Sequence, residues 1–232
     1  MNTSTAKSPN KSSNKSSNKS SKKFAKQSGR TGWIVGVGVL AVVVVAIIIA
    51  VVARSGDDDT SDADVAGLEQ NRPASVEGAG LPPFVDPAGD AAVGLVAPTA
   101  QGASFDGTPI EIAAGEPTLL VFLAHWCPFC QDEVRALTEW EAGGGVPDGV
   151  RILGVATGTA SDRPNYPPSA WLEREQFPFP VIADSETQQI AGAFGLTSYP
   201  YFVMLDETGS VVARSSGQLS IDQIEVLFAQ VL

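Results

Sequence analysis

The chain has 232 residues, of which 44% are hydrophobic and 18% are charged, so it can form one folded domain with attached segments. Its formal net charge of −11 is unevenly divided: eight of the 15 basic residues precede residue 31, whereas all 26 acidic residues follow residue 53. The acidic part argues against nucleic-acid binding. Two cysteines and a single histidine exclude a disulfide scaffold and any site that needs two imidazoles.

The first 53 residues combine a basic tail with an apolar run. Residues 1–32 predict a disordered tail, because their Lys-Ser-Ser-Asn repeats offer nothing to bury. Residues 33–53 contain no charge, and as a helix rising about 1.5 Å per residue they would span the roughly 30 Å hydrocarbon core of a bilayer. We therefore predict a single transmembrane helix, with the lysine-rich tail in the cytoplasm. A cleaved signal peptide is the alternative, but the run is longer than the apolar part of such peptides.

The acidic segment over residues 54–92 has the composition of a linker. It carries nine acidic residues against two arginines, and Ala, Gly and Pro fill much of the rest. Such a segment repels itself and is predicted to be flexible and disordered. We expect it to hold a folded domain, over residues 93–232, away from the membrane.

The predicted domain alternates between strand and helix patterns. A hairpin is expected over residues 104–112, with Asp106-Gly107 as its turn, and a buried strand over 118–124. A helix over 128–142 follows, with a proline at its start and three glycines after its end. The later elements are strands over 150–157, 180–183, 200–205 and 210–214, and helices over 168–176, 185–194 and 221–231. This order predicts an α/β domain with a mixed sheet flanked by helices.

Two cysteines, Cys127 and Cys130, stand where the buried strand ends and the helix begins. Their spacing lets the sulfurs form a disulfide across the first helical turn, and the positive end of the helix dipole favours a thiolate there. Cys127 is nearest the helix end and is predicted to attack a partner disulfide, while Cys130 resolves the mixed disulfide. A zinc site is the competing interpretation, but zinc needs four ligands and the chain adds only His125.

Three segments together resemble the thioredoxin fold: residues 125–130 (HWCPFC), 197–200 (TSYP) and 205–209 (LDETG). The insertion after the first helix and the predicted anchor look like the membrane-anchored TlpA/ResA-like (DsbE-like) branch. The resemblance covers residues 93–232. It implies a thiol–disulfide oxidoreductase that uses a redox-active Cys127–Cys130 disulfide, with no other cofactor and no metal.

The resemblance also implies roles for residues around the dithiol. Pro200 matches a cis-proline that faces the cysteines, and the backbone before it can pair with an extended partner peptide. Glu133 matches a glutamate implicated in proton transfer, although by itself it has the pattern of a solvent-exposed helix residue. His125 is expected to lie exposed at the rim. Partner-binding residues are expected at Trp126, Pro128, Phe129, Ser198 and Tyr199.

The sequence thus predicts an extracytoplasmic, single-pass membrane thiol–disulfide oxidoreductase. Its expected partners are extracytoplasmic proteins with cysteines and a membrane thiol/disulfide electron partner, not nucleic acid. Reduction, of apocytochrome c or another thiol protein, is slightly favoured over oxidative folding, because the residues between the cysteines lack the histidine of strongly oxidising DsbA-like proteins. The alternative is a membrane-tethered Sco-like copper-binding or assembly module, which the absence of any histidine after His125 disfavours. A peroxidase is disfavoured because no Pro-x-x-x-Thr/Ser-x-x-Cys segment leads to Cys127.

Overall fold

The computed structural model describes residues 67–232. The predicted basic tail, the predicted transmembrane helix over residues 33–53 and the start of the predicted linker lie outside the described residues. Among the helices of residues 67–232, none has both the length and the apolar character needed to cross a membrane.

Eight strands and four helices follow one another along the described residues. In chain order they are β1 (Ser75–Glu77), β2 (Thr99–Ala103), β3 (Pro109–Ile112), β4 (Thr118–Leu123), α1 (Pro128–Ala142), β5 (Arg151–Ala156), α2 (Pro168–Arg174), β6 (Val181–Ala183), α3 (Gln189–Ala193), β7 (Tyr201–Leu205), β8 (Val211–Ser216) and α4 (Ile221–Phe228).

The central sheet is mixed and has the strand order β6-β5-β4-β7-β8. Strands β4, β5 and β6 run parallel, β7 is antiparallel to β4, and β8 is antiparallel to β7. A second, antiparallel sheet has the order β1-β2-β3. The prediction of a mixed sheet flanked by helices is therefore confirmed.

The two faces of β4 supply two separate cores, because side chains alternate along a strand. Leu119 and Val121 pack in the core that contains Val134 of α1 and residues of α2 and α4. Leu120 and Phe122 pack in the other core, with residues of α3, β2 and β3. All six β4 residues are buried, which explains the continuous apolar run of this strand. The cysteines belong to the core on the α1 side.

The predicted linker is folded from residue 67 onward, which contradicts its assignment as flexible and disordered over residues 54–92. β1 pairs with β2, and Leu81 and Phe84 are buried. The carboxylate of Asp90 forms an ion pair with the Arg214 guanidinium of β8, with both side chains buried. The acidic residues around Asp90 in the sequence predict that its charge is repelled by its neighbours. In the fold that charge is neutralised by Arg214, which lies 124 residues away in the sequence. The folded domain extends beyond the predicted boundary at residue 93.

Element boundaries differ from the prediction where a tertiary contact decides them. The helix predicted from residue 185 begins only at Gln189, because the buried Asp184 carboxylate accepts hydrogen bonds from the N–H groups of Ser185, Ile190 and Ala191. In the predicted 104–112 hairpin, residues 104–108 form the turn and the first strand lies upstream. The last helix ends at Phe228 rather than residue 231. Helix α1 matches its predicted bounds.

Candidate active site

The two cysteines lie at the start of α1, with free thiols and unequal exposure. Cys127 is the N-cap residue of α1 and is 6% exposed, whereas Cys130, in the first turn, is fully buried. The Cys130 Sγ accepts a long hydrogen bond of 3.5 Å from the Ala124 N–H. Burial raises the pKa of the Cys130 thiol well above its usual range. Cys127 is therefore the thiol that a partner can reach, and Cys130 lies behind it.

The segment before β7 faces the reachable thiol. The Tyr199–Pro200 peptide bond is cis, and the Sγ of Cys127 lies 3.9 Å from the carbonyl oxygen of Tyr199. Pro200 has no N–H to offer the sulfur. The Tyr199 ring meets the Trp126 ring edge to face at 5.6 Å.

The five predicted partner-binding residues differ in how far their side chains are exposed. Pro128 is exposed and Phe129 is 59% exposed, so both offer apolar contact area. Trp126 and Tyr199 are half-buried. Ser198 is exposed, but its hydroxyl lies 2.6 Å from the Ser216 hydroxyl of β8, which ties its side chain to the sheet edge.

Glu133 is buried on α1, in contrast to the solvent-exposed helix residue that its local pattern suggests. Its Oε2 accepts a hydrogen bond of 3.0 Å from the Leu219 N–H, and its Oε1 has no hydrogen-bond partner in the described part of the chain. Burial raises the pKa of this carboxyl to about 7. Its charge also contributes to the raised pKa of Cys130. Glu133 can therefore gain or lose a proton near neutral pH beside the buried thiol.

His125 is buried, and its expected exposure at the rim is wrong. The Ala160 N–H donates to Nε2 at 3.2 Å, so that nitrogen must be unprotonated, and Nδ1–H donates to the Pro164 carbonyl oxygen at 2.7 Å. Burial lowers the pKa of the imidazole. Both ring nitrogens of the neutral histidine are thus used by the backbone, which leaves neither for the metal site that zinc or copper binding would require.

A loop that the sequence did not single out packs beside the dithiol, over residues 158–166. The Gly158 carbonyl oxygen accepts a hydrogen bond of 2.8 Å from the Trp126 indole N–H. A Cβ at Gly158, where φ is +63°, would lie 2.6 Å from the Tyr199 hydroxyl oxygen, so a larger residue would strain the backbone and displace the Tyr199 ring. Asn165 donates to the His125 carbonyl oxygen at 3.2 Å. The local sequence gives little sign of this loop beyond Gly158, because the residues that the loop contacts are distant along the chain.

Comparison with known proteins places this domain in a family. The family model of AhpC/TSA matches residues 88–214, more than half of the chain, including the dithiol and Pro200. The chain belongs to the AhpC/TSA family. The AhpC/TSA match begins inside the predicted linker, in agreement with the folded residues there.

The relatives of this AhpC/TSA chain cover only part of it. It is 36% identical over 70 residues to the soluble secreted antigen MPT53 of Mycobacterium tuberculosis, an alignment that spans 30% of this chain and 37% of that relative. The chain thus matches little more than a third of the length of that curated relative.

Two solved structures share the fold of the AhpC/TSA domain. One, from Chlorobium tepidum, is described as a candidate thiol:disulfide interchange protein DsbE; it is 19% identical with a TM-score of 0.51, over 60% of this chain and 98% of that chain. The other is the thioredoxin domain of a thiol-disulfide oxidoreductase from Bacteroides vulgatus, 19% identical with a TM-score of 0.50, over 61% and 99%. These likenesses show a thioredoxin-like fold.

Proposed function

We propose that this AhpC/TSA chain is a thiol–disulfide oxidoreductase that exchanges disulfides with partner proteins through the Cys127–Cys130 couple. One observation carries the proposal: the reachable Cys127 Sγ lies at the start of α1 and 3.9 Å from the Tyr199 carbonyl oxygen, with the Cys130 thiol buried behind it. An extended partner peptide can add alongside the Tyr199 backbone and bring its own sulfur to Cys127.

In the reducing direction, the Cys127 thiolate attacks one sulfur of a partner disulfide. That disulfide bond breaks, and a mixed disulfide forms as one partner cysteine leaves and takes up a proton. The Cys130 thiolate then attacks the Cys127 sulfur and releases the second partner cysteine as a thiol. The partner gains two electrons and two protons, and the chain is left with a Cys127–Cys130 disulfide. Oxidation of a partner is the same sequence reversed.

Resolution requires Cys130 to lose a proton that burial helps it to keep. Glu133 lies one helical turn further along α1 and has one carboxyl oxygen without a hydrogen-bond partner among residues 67–232. Its pKa of about 7 suits a group that accepts this proton and later returns it. We assign Glu133 this role.

We further propose that the domain works outside the cytoplasm, tethered by residues 33–53, as a TlpA/ResA-like (DsbE-like) protein. The division of charge around the apolar run supports this orientation, and the curated relative is described as a soluble secreted antigen. The proposed partners are extracytoplasmic proteins with cysteines and a membrane thiol/disulfide protein that supplies electrons. The Pro128-Phe129 pair between the cysteines supports the reductive direction, with apocytochrome c as a candidate substrate.

Trapping of mixed disulfides tests the exchange. In Cys130→Ser the Cys127 sulfur stays bound to its partner, so we expect covalent complexes on non-reducing gels, and none in Cys127→Ser. Equal trapping by both variants would contradict the assigned roles.

The reduction potential of the wild-type Cys127–Cys130 couple tests the direction of electron flow: about −270 mV or lower supports a reductase, and about −120 mV an oxidase. Turnover of hydrogen peroxide without disulfide exchange would instead indicate a peroxidase.

A further inference from the structure

The 158–166 loop is held firmly beside the dithiol by the one histidine of the chain. The His125 ring bonds to the backbone at Ala160 and at Pro164, and these two positions lie on either side of Arg163. Asn165 bonds back to the His125 carbonyl oxygen. Because the ring is buried, these bonds are shielded from water. The loop is therefore a fixed wall of the site.

Arg163 is an exposed residue of this loop, and its guanidinium carbon lies 5.1 Å from the centre of the Trp126 ring. The indole itself is fixed by its bond to Gly158 and touches Tyr199, whose carbonyl oxygen faces Cys127. A guanidinium stacked on an aromatic ring keeps its N–H edge free for a carboxylate.

Arg163 also differs in charge pairing from the other cations of the folded part. Residues 67–232 contain six arginines and no lysine. Five of these arginines form ion pairs with carboxylates: Arg72, Arg135, Arg151, Arg174 and Arg214. Arg163 has no such pair among the described residues, although Asp162 is its neighbour in sequence. The unpaired cation of this acidic part of the chain thus lies over Trp126, the residue before the reacting Cys127.

We propose that Arg163 is a specificity residue that selects partner segments with an acidic side chain beside the reacting cysteine. This inference rests on the proposed disulfide exchange. A partner strand that adds along Tyr199 passes the Trp126 ring, so a carboxylate next to its cysteine meets the guanidinium edge. The remaining acidic surface repels carboxylates elsewhere, which restricts their favourable placement to this position.

The test uses the full chain, reduced and solubilised in detergent, and a series of disulfide-bonded peptides. The peptides differ only at the residue beside the attacked cysteine, which is Glu, Gln or Lys, and rates are measured by acid quench and mass spectrometry. We expect the wild type to react about fivefold faster with the Glu peptide than with the Gln peptide at low salt, the size that an exposed ion pair supplies, and slowest with the Lys peptide. The preference for the Glu peptide should be smaller at about 0.5 M salt, because salt screens the attraction between exposed charges.

Two variants separate the local effect of Arg163 from net charge. Arg163→Gln should lower the Glu/Gln rate ratio to below about twofold. Arg151→Gln removes the same charge at the start of β5, the opposite end of the strand from the dithiol, and should keep the wild-type ratio. A ratio that is the same in wild type and Arg163→Gln, while exchange proceeds, would overturn the inference and leave the exchange function standing. No exchange with any peptide would overturn the proposed function itself.

Discussion

Burial raises the pKa of the Glu133 carboxyl from its ordinary value into the neutral range. Its side chain lies between α1 and the segment before α4, where only one of its two oxygens has a hydrogen-bond donor among the described residues. The carboxylate form is therefore poorly solvated, and the pKa is raised to about 7. Protonation is favoured in the folded protein relative to the unfolded chain, in which the pKa is about 4.3.

This raised pKa predicts how Glu133 affects stability with pH. The folded state binds one more proton than the unfolded state between the two pKa values, so the contribution of Glu133 is fully present below about pH 4.3 and is lost as pH rises through about 7. The full loss is on the order of 3 kcal/mol. Urea unfolding of Glu133→Gln between about pH 4 and 8 should lack this loss.

The matched control is Glu139→Gln, which changes an exposed glutamate on the same helix. It should keep the pH dependence of the wild type. His125 adds an opposite slope in all three proteins, because its pKa is lowered by burial and stability falls as pH drops below about 6.5. The difference between wild type and Glu133→Gln removes that shared slope. A difference that does not change with pH would contradict the buried, proton-binding role of Glu133.

At the scale of elements, the Asp90–Arg214 pair connects the segment before β2 to β8. The Arg214 guanidinium also donates to the carbonyl oxygens of Pro82 at 2.8 Å and Phe194 at 3.3 Å. It lies 5.5 Å from the centre of the Phe84 ring. One buried cation therefore joins three chain segments, and the ion pair lowers the pKa of Asp90 below its ordinary value.

Removal of the Asp90 carboxylate should leave the buried Arg214 charge without a counterion. We expect Asp90→Asn to lower the free energy of unfolding by about 3–5 kcal/mol, since arginine cannot lose its proton. The pair stabilises the fold above the unfolded pKa of about 3.9, and this contribution should disappear as pH falls through the lowered folded pKa. Urea unfolding at pH 7 and in acid measures both effects.

A surface pair serves as the comparison for that variant. Glu116 lies 3.9 Å from Arg151, with the glutamate side chain 59% exposed, and Glu116→Gln should change the free energy of unfolding by less than about 1 kcal/mol. Similar losses in both variants would mean that the Asp90–Arg214 pair contributes no more than an exposed one.

The same elements show which parts of the fold the sequence predicts. Helix α1 matches its prediction because Pro128 and the glycines from Gly143 mark its ends locally, and β4 is apparent from its apolar run. The prediction that His125 is exposed is wrong because its partner Ala160 lies 35 residues away in the sequence. The prediction that Asp90 belongs to a flexible linker is wrong because its partner Arg214 lies 124 residues away. The dithiol was predictable from spacing and position. The wall of the site that includes Arg163 was not, since it depends on those distant contacts.

For the whole molecule, the folded unit must include residues that composition alone would assign to a tether. Residues 67–92 supply β1, the buried Leu81 and Phe84, and the carboxylate for Arg214. Domains are only marginally stable, by about 5–15 kcal/mol. The stabilisation that these contacts supply is therefore a large fraction of the total free energy of unfolding.

Truncation tests this boundary. A chain that starts at residue 67 should unfold cooperatively with a Tm close to that of the full chain. A chain that starts at residue 93 should lose most of its cooperative transition, because it leaves the Arg214 charge buried and uncovers the apolar face of the sheet. Thermal unfolding followed by circular dichroism measures both. Equal Tm values for the two truncated chains would show that residues 67–92 contribute little to the fold.

The use of arginine alone for positive charge in residues 67–232 has a chemical consequence. All lysines of the chain precede residue 27, so acetylation, ubiquitination and amine-directed crosslinking can act only on the N-terminal tail. Attachment of the protein to a surface through its amines would hold it by that tail and leave the dithiol face chemically unaltered.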